Sequence, residues 1–140
     1  MIGGDIMRTI IRASLLIVIA IIFGIANISA YAGILDGKTF NGTTGKMGKK
    51  SSDKDTVRFE NGQFTSVDCE KYGFGSGSYI TTVDGDTTHF TADTYSEKTG
   101  RITWVGTISG SNIDATYLWY KKGKNVKPEQ IKWFKGAMME

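Results

Sequence analysis

Residues 102–120, ITWVGTISGSNIDATYLWY, alternate apolar and polar positions on both sides of Gly110-Ser111. Ile102, Trp104, Gly106 and Ile108 recur at every second position, and Ile113, Ala115, Tyr117 and Trp119 continue the pattern. A period of two predicts two strands, each with one buried face. Gly-Ser at the centre suits a type II′ turn, which needs glycine first. That turn sets Ile108 opposite Ile113, Gly106 opposite Ala115, Trp104 opposite Tyr117 and Ile102 opposite Trp119. All four pairs fall on one face, as a hairpin with a buried side requires.

The same reading extends in both directions. Asn61-Gly62 joins residues 56–60 to 63–68 and predicts a type I′ hairpin that pairs Phe59 with Phe64 and Val57 with Ser66. Arg58 and Thr65 are expected to face water. Asp84-Gly85-Asp86 joins strands at 78–83 and 87–96, with Tyr79, Thr81 and Val83 sharing a face with Phe90, Ala92 and Thr94. Lys98-Thr99-Gly100 has the form of a type I turn closed by a glycine bulge. It predicts Thr94 opposite Trp104 and Ala92 opposite Gly106. Four successive turns thus agree on one inner face, and such agreement between local signals marks a specified fold.

The flanks are less regular. Residues 35–42 read as a first strand with Phe40 inward, and residues 43–55 as a long polar loop. Residues 69–77 connect strands. Residues 130–136 read as a strand with Ile131 and Trp133 inward and Phe134 outward. A helix started by Pro128 and Glu129 is the competing reading. The total is an all-β, eight-stranded antiparallel meander. Closing it into an up-and-down barrel removes its edges. An open curved sheet or a sandwich is the alternative.

The first 32 residues stand apart. Arg8 and Arg12 precede an apolar run at 13–26, and Ala30-Tyr31-Ala32 is a small-x-small cleavage site. That order predicts a signal-peptide helix, cleaved after Ala32 or Ala30, and a single domain over 33–140. The address is then the periplasm or the exterior, or the membrane if the helix stays as an anchor. The apolar run is shorter than the roughly 20 residues of a spanning helix, so membrane contact is expected only through this leader. Loss of Asp5, Arg8 and Arg12 lowers the net charge from +3 to +2, which gives no footprint for nucleic acid. Lysines cluster at 46–54 and 121–127 in polar stretches that read as solvated loops. Cys69 is the only cysteine, so no disulfide within the chain supports the fold.

The predicted inner face carries Phe40, Phe59, Phe64, Tyr79, Phe90, Trp104, Tyr117, Trp119 and Trp133. Burial of each such side chain is worth about 1.5–3 kcal/mol. Ser66, Asp68, Thr81 and Thr94 share that face and need partners if buried. Eight strands enclose an interior that side chains just fill, or that holds one small ligand. Phe64, Ser66, Tyr79, Phe90, Thr94, Trp104, Tyr117 and Trp119 are the candidate ligand-binding residues for an apolar or amphipathic molecule. The other reading is a filled barrel that serves as a structural or protein-interaction module. Its partner would be a second copy or an envelope protein, met by Leu118, Tyr120 and Tyr95 on the outer face.

Gly37-Lys38-Thr39-Phe40 at the head of such a meander resembles the opening of calycin or lipocalin-like proteins. These begin on a Gly-x-Trp element that closes the barrel base. Here the aromatic residue is Phe40, three residues after Gly37 where the family has two. The resemblance implies an eight-stranded barrel over 35–136 and binding of a small apolar ligand. The leader adds a likeness to small exported β-proteins of bacteria.

No enzyme is expected. His89, the only histidine, falls on an outward face, and nothing places it beside Cys69 as a nucleophile pair needs. One histidine and one cysteine do not make a structural zinc site. Asp84 and Asp86 are explained by their turn, and Asp93 adds no EF-hand spacing. Residues 73–77 lack the Lys-Ser/Thr of a phosphate loop. No cofactor or metal is therefore expected.

Overall fold

The computed structural model describes residues 33–125 and 130–140. The predicted leader and the Pro128-Glu129 helix start lie outside them. Eight strands follow one another: β1 (Thr39–Lys46), β2 (Asp53–Glu60), β3 (Gln63–Ser66), β4 (Gly77–Asp84), β5 (Thr87–Ser96), β6 (Gly100–Ser109), β7 (Asn112–Lys121) and β8 (Ile131–Met138). A short helix, α1 (Val67–Glu70), follows β3. Each strand pairs antiparallel with the next, and β8 returns to β1, so the meander closes into a barrel.

The tight turns set the registers. Asn61 and Gly62 have φ of 52° and 72°, the two positive values of a type I′ turn. Phe59 then faces Phe64, and Val57 faces Ser66. Gly110 has φ of 58° and Ser111 is not left-handed, which fits type II′. All four predicted pairs from Ile108↔Ile113 to Ile102↔Trp119 are present. The β5–β6 register differs from expectation by two residues. Thr94 faces Ile102, and Ala92 faces Trp104. Gly100 is the first strand residue, opposite Ser96, and not the last residue of the loop. A slip of two preserves parity, so the inner face is unchanged.

Four other expectations are corrected. Residues 43–46 and 53–55 belong to strands, because polar Thr44 and Asp55 point inward and hide the alternation. Phe134 is fully buried and Trp133 points outward, the reverse of the predicted parity. The Trp133 ring covers Gly45, its cross-strand partner, and its indole N–H donates to the Lys49 carbonyl. An amphipathic indole suits that half-wet position. Thr65 is buried instead of facing water, and Asp68 sits on α1 instead of the inner face of a strand. Val83 keeps its inward parity but lies at the rim, where it stays exposed.

The core is a set of rings in mutual contact. Phe59 meets Phe40, Phe64, Tyr79 and Phe90 edge-on, at centroid distances of 5.0 to 6.2 Å. Edge-to-face contact is the favoured aromatic arrangement. One end of the barrel, the base, holds the turns after β2, β4 and β6. There Leu35 is buried as a plug. The Tyr79 hydroxyl donates to Asp36 and accepts from the Leu35 N–H, at 2.7 and 3.1 Å. Asp36 also accepts from the Gly62 N–H, at 3.0 Å. This turn ahead of β1 closes the base. Burial and the Asp36 carboxylate push the Tyr79 phenol up to about 12.

Candidate functional site

The mouth, opposite the base, is where the sheet is thinnest. Only Gln63↔Ser78 and Phe64↔Gly77 join β3 to β4, whereas β5–β6 and β6–β7 each carry ten register pairs. Residues 67–76 cross this open part of the wall as a strap. Phe74 inserts from the strap and is buried against Trp119, ring centroids 5.7 Å apart. The Thr65 and Ser76 hydroxyls meet across the gap at 2.6 Å.

Polar groups tie the strap down. Asp55, buried on β2, accepts from Ser66 Oγ at 2.6 Å, from the Asp68 N–H at 2.9 Å and from the Thr56 N–H at 2.7 Å. Ser66 caps α1 by accepting from the Cys69 N–H. Further along, the Tyr72 carbonyl accepts from the hydroxyls of Ser96 and Thr99. The Trp119 indole N–H donates to the Thr99 carbonyl at 3.0 Å.

Beneath the strap lie the residues expected to line an interior. Trp104 stacks on Tyr117 at 4.0 Å and 20°, and meets Phe64 at 5.0 Å. Phe64 in turn stacks on Phe90. Tyr79 joins the same cluster through Phe59. Thr94 faces Ile102, which faces Trp119, so these three form one row, with Trp104 and Tyr117 in the next row toward the base. Trp119 is only partly buried and packs at the mouth. Ser66 is bound to Asp55 and belongs to the tether. The eight candidates therefore share one interior, with Ser66 and Trp119 at its rim.

That interior is occupied by side chains. Phe64 and Trp104 have no accessible surface, and Tyr79 and Phe90 are at most 2% exposed. A void large enough for one water would leave its lining accessible. Two grooves among the described residues open outside the barrel. One of about 620 Å³ runs between β1, β2 and α1, and one of about 380 Å³ lies across β4 to β7.

Two interior atoms stand out. Trp104 Nε1 and Thr94 Oγ1 are buried and have no hydrogen-bond partner. An unpaired buried polar group costs about 1–3 kcal/mol. The contrast is Tyr117. Thr44 Oγ1 donates to the Trp133 carbonyl at 2.8 Å, which leaves it to accept from the Tyr117 hydroxyl at 2.6 Å. Burial raises the Tyr117 phenol well above its usual range.

The remaining titratable groups offer no catalytic constellation among the described residues. Burial pushes the Cys69 thiol up to about 11, so it is a thiol and not a nucleophilic thiolate at neutral pH. Cys69 lies at the mouth, while His89 is exposed on β5, near the turn at the base. No group of three or more metal-ligating side chains occurs among the described residues.

Asp55 yields a measurable expectation. Burial raises its pKa, against the lowering by its three hydrogen bonds, and nearby Asp68 raises it further. Above pH 3.8 the folded chain therefore holds this proton longer than the unfolded chain does. More protons bound when folded means stability falls as pH rises through that window. Asp55→Asn removes the titration. The stability of the wild type relative to Asp55→Asn is expected to decline from pH 3.8 upward, read as urea midpoints at a series of pH values. A relative gain over the same range would show that the hydrogen bonds outweigh burial.

Strap, tether and unpaired atoms escaped the sequence reading. Ser66 followed by acidic Asp68 and Glu70 is a helix-start signal, but four residues are too few to show a helical period. No family model, curated protein or solved structure matches this chain.

Proposed function

We propose that this is an exported, non-catalytic binding protein of calycin-like build. Its leader is removed after Ala32 or Ala30. It takes one small apolar or amphipathic molecule into the aromatic interior, without cofactor or metal. The observation that carries this reading is the pair of unpaired buried atoms, Trp104 Nε1 and Thr94 Oγ1. Ligand interiors are mostly apolar with a few polar groups that fix orientation. Both atoms belong to the set expected from the sequence to line such a site. Their burial cost is recovered when a guest supplies a partner. The filled interior is then the closed, ligand-free state, and a guest must displace side chains to enter.

A second reading is supported by that same filling. A barrel with no accessible interior works through its outer wall, as an envelope module that binds a second copy or another protein. Ile80, Tyr95 and Val105 are exposed on neighbouring strands and would serve it. Titration with acetophenone, read as quenching of tryptophan fluorescence, separates the two. Binding at micromolar concentration, weakened by Trp104→Phe in a folded protein, supports the interior site. No binding by the folded wild type removes it and leaves the outer wall.

A further inference from the structure

The unpaired atoms and the thin β3–β4 wall lie at the same end of the barrel. Gly77 begins β4, pairs with Phe64 across the thin wall, and packs directly on the backbone of Asp93 and Thr94. Phe74, on the strap, covers Trp119, which shares a row with Thr94. Opening elsewhere would break long runs of strand pairing. Lifting residues 67–76 breaks no register pair between strands, since both pairs of that wall lie below the strap. What it does break are the packing of Phe74 on Trp119, the Arg58–Glu70 ion pair and a few tethers: Thr65 to Ser76, Asp55 to the Asp68 N–H, Ser66 to the Cys69 N–H, and the Tyr72 carbonyl to Ser96 and Thr99.

We propose that the strap of residues 67–76 is the door to the interior, and that the guest is a neutral molecule carrying a hydrogen-bond acceptor for Trp104 Nε1 and Thr94 Oγ1. The proposal rests on the interior-binding reading above. The acceptor follows from chemistry, because an indole N–H only donates and a threonine hydroxyl donates or accepts. Neutrality follows from the lining. The buried rings of Phe64, Phe90, Trp104 and Tyr117 offer no counter-charge to an ion of either sign, and burying an unpaired charge is costly; Asp55 at the mouth further opposes an anion. Size follows from what leaves. Withdrawal of Phe74 vacates one aromatic side chain, so a guest built on a single ring fits.

The experiment staples the door. In a Cys69→Ala background, Gly73→Cys with Ser96→Cys ties the strap beside Phe74 to β5, since a Cβ on residue 73 lies 3.8 Å from the Ser96 Cβ, the span of a disulfide. The probes are acetophenone, which has an acceptor, and α-methylstyrene, which replaces the carbonyl oxygen by CH2 and keeps the planar shape without one. The wild type is expected to prefer the acetyl probe about fivefold. Trp104→Phe is expected to reduce that preference, and Trp104→Phe with Thr94→Val to erase it. The oxidised staple is expected to block both probes, and dithiothreitol to restore binding. Equal binding by oxidised and reduced protein overturns the door while the interior site stands. Failure of the wild type to bind either probe overturns both. Equal affinity for the two probes overturns the acceptor. Hydrogen exchange on the unmodified chain is the second measurement. The amides of 67–76 are expected to exchange together, well before those of β5 to β7. Exchange of the strap only with global unfolding overturns the door even if the stapled variant does not fold.

Discussion

Trp104→Ala is expected to lower stability by about 3–5 kcal/mol, the range for truncating a buried large aromatic residue. Domains of this size are stable by only about 5–15 kcal/mol, so the variant should be barely folded at 25 °C. Trp104 has no accessible surface, stacks on Tyr117 at 4.0 Å, and meets Phe64 and Phe134 at 5.0 and 6.4 Å. No flexible neighbour stands ready to collapse into the space, because its neighbours are rings already held by other contacts. Urea unfolding of both proteins measures the difference. A loss below about 1 kcal/mol would mean that Trp104 already borders a void, and the closed, filled interior described above would be wrong. Trp104→Phe keeps a ring in place, so it is the milder variant with which binding is tested.

Much of this barrel was legible because short turns leave little freedom. Asn61-Gly62 and Gly110-Ser111 admit one turn type each, and the registers that follow from them are present pair by pair. Parity was legible even where register was not. Around residues 97–100 a strand slipped by two, yet Ala92, Thr94, Ile102 and Trp104 all stayed on the inner face. Legibility failed where inward positions are polar. Thr44 and Asp55 face in, and their partners Tyr117, Ser66 and Asp68 are distant in sequence, so no periodic signal marks them. It failed again at Trp133-Phe134. Two adjacent aromatic residues leave the period of two undecided. The decision came from the partner strands, where Gly45 leaves room for the Trp133 ring outside and Ala115 faces Phe134 inside.

The candidate site was legible in the same measure. Parity identified its lining, since parity says which side chains converge. It was silent on whether they fill the space, which depends on side-chain volumes and the width of the closed barrel. The strap was invisible for a related reason. Its hold on the barrel is one buried ring, Phe74, and single hydrogen bonds between residues far apart in the chain, with the Asp68 N–H bound to Asp55 and the Tyr72 carbonyl to Ser96 and Thr99. A segment tethered in this way leaves no apolar repeat to read.

Gly77→Ala is expected to destabilise the fold by at least about 3 kcal/mol, beyond the ordinary cost of overpacking. A Cβ at this position would fall 1.7 Å from the Asp93 carbonyl oxygen, and the Thr94 Cα stands 3.2 Å away. Both are backbone atoms of β5, inside a strand paired along its length to β6, so neither can swing aside. Either β4 moves off β5 or the Phe64↔Gly77 pair breaks, and that pair is half of what joins β3 to β4. Gly75→Ala, two residues earlier on the strap, is the control. Nothing lies within 4 Å of its added Cβ, and its φ is not left-handed. It should leave stability unchanged or raise it by about 0.4–1 kcal/mol through a less flexible unfolded chain. Paired urea titrations read both. If the two variants are equally stable, β4 does not pass this close to β5. If only Gly77→Ala unfolds, the bare backbone at Gly77 is what lets the first residue of β4 lie against β5, while β3 stops pairing because it ends at Ser66, which caps α1.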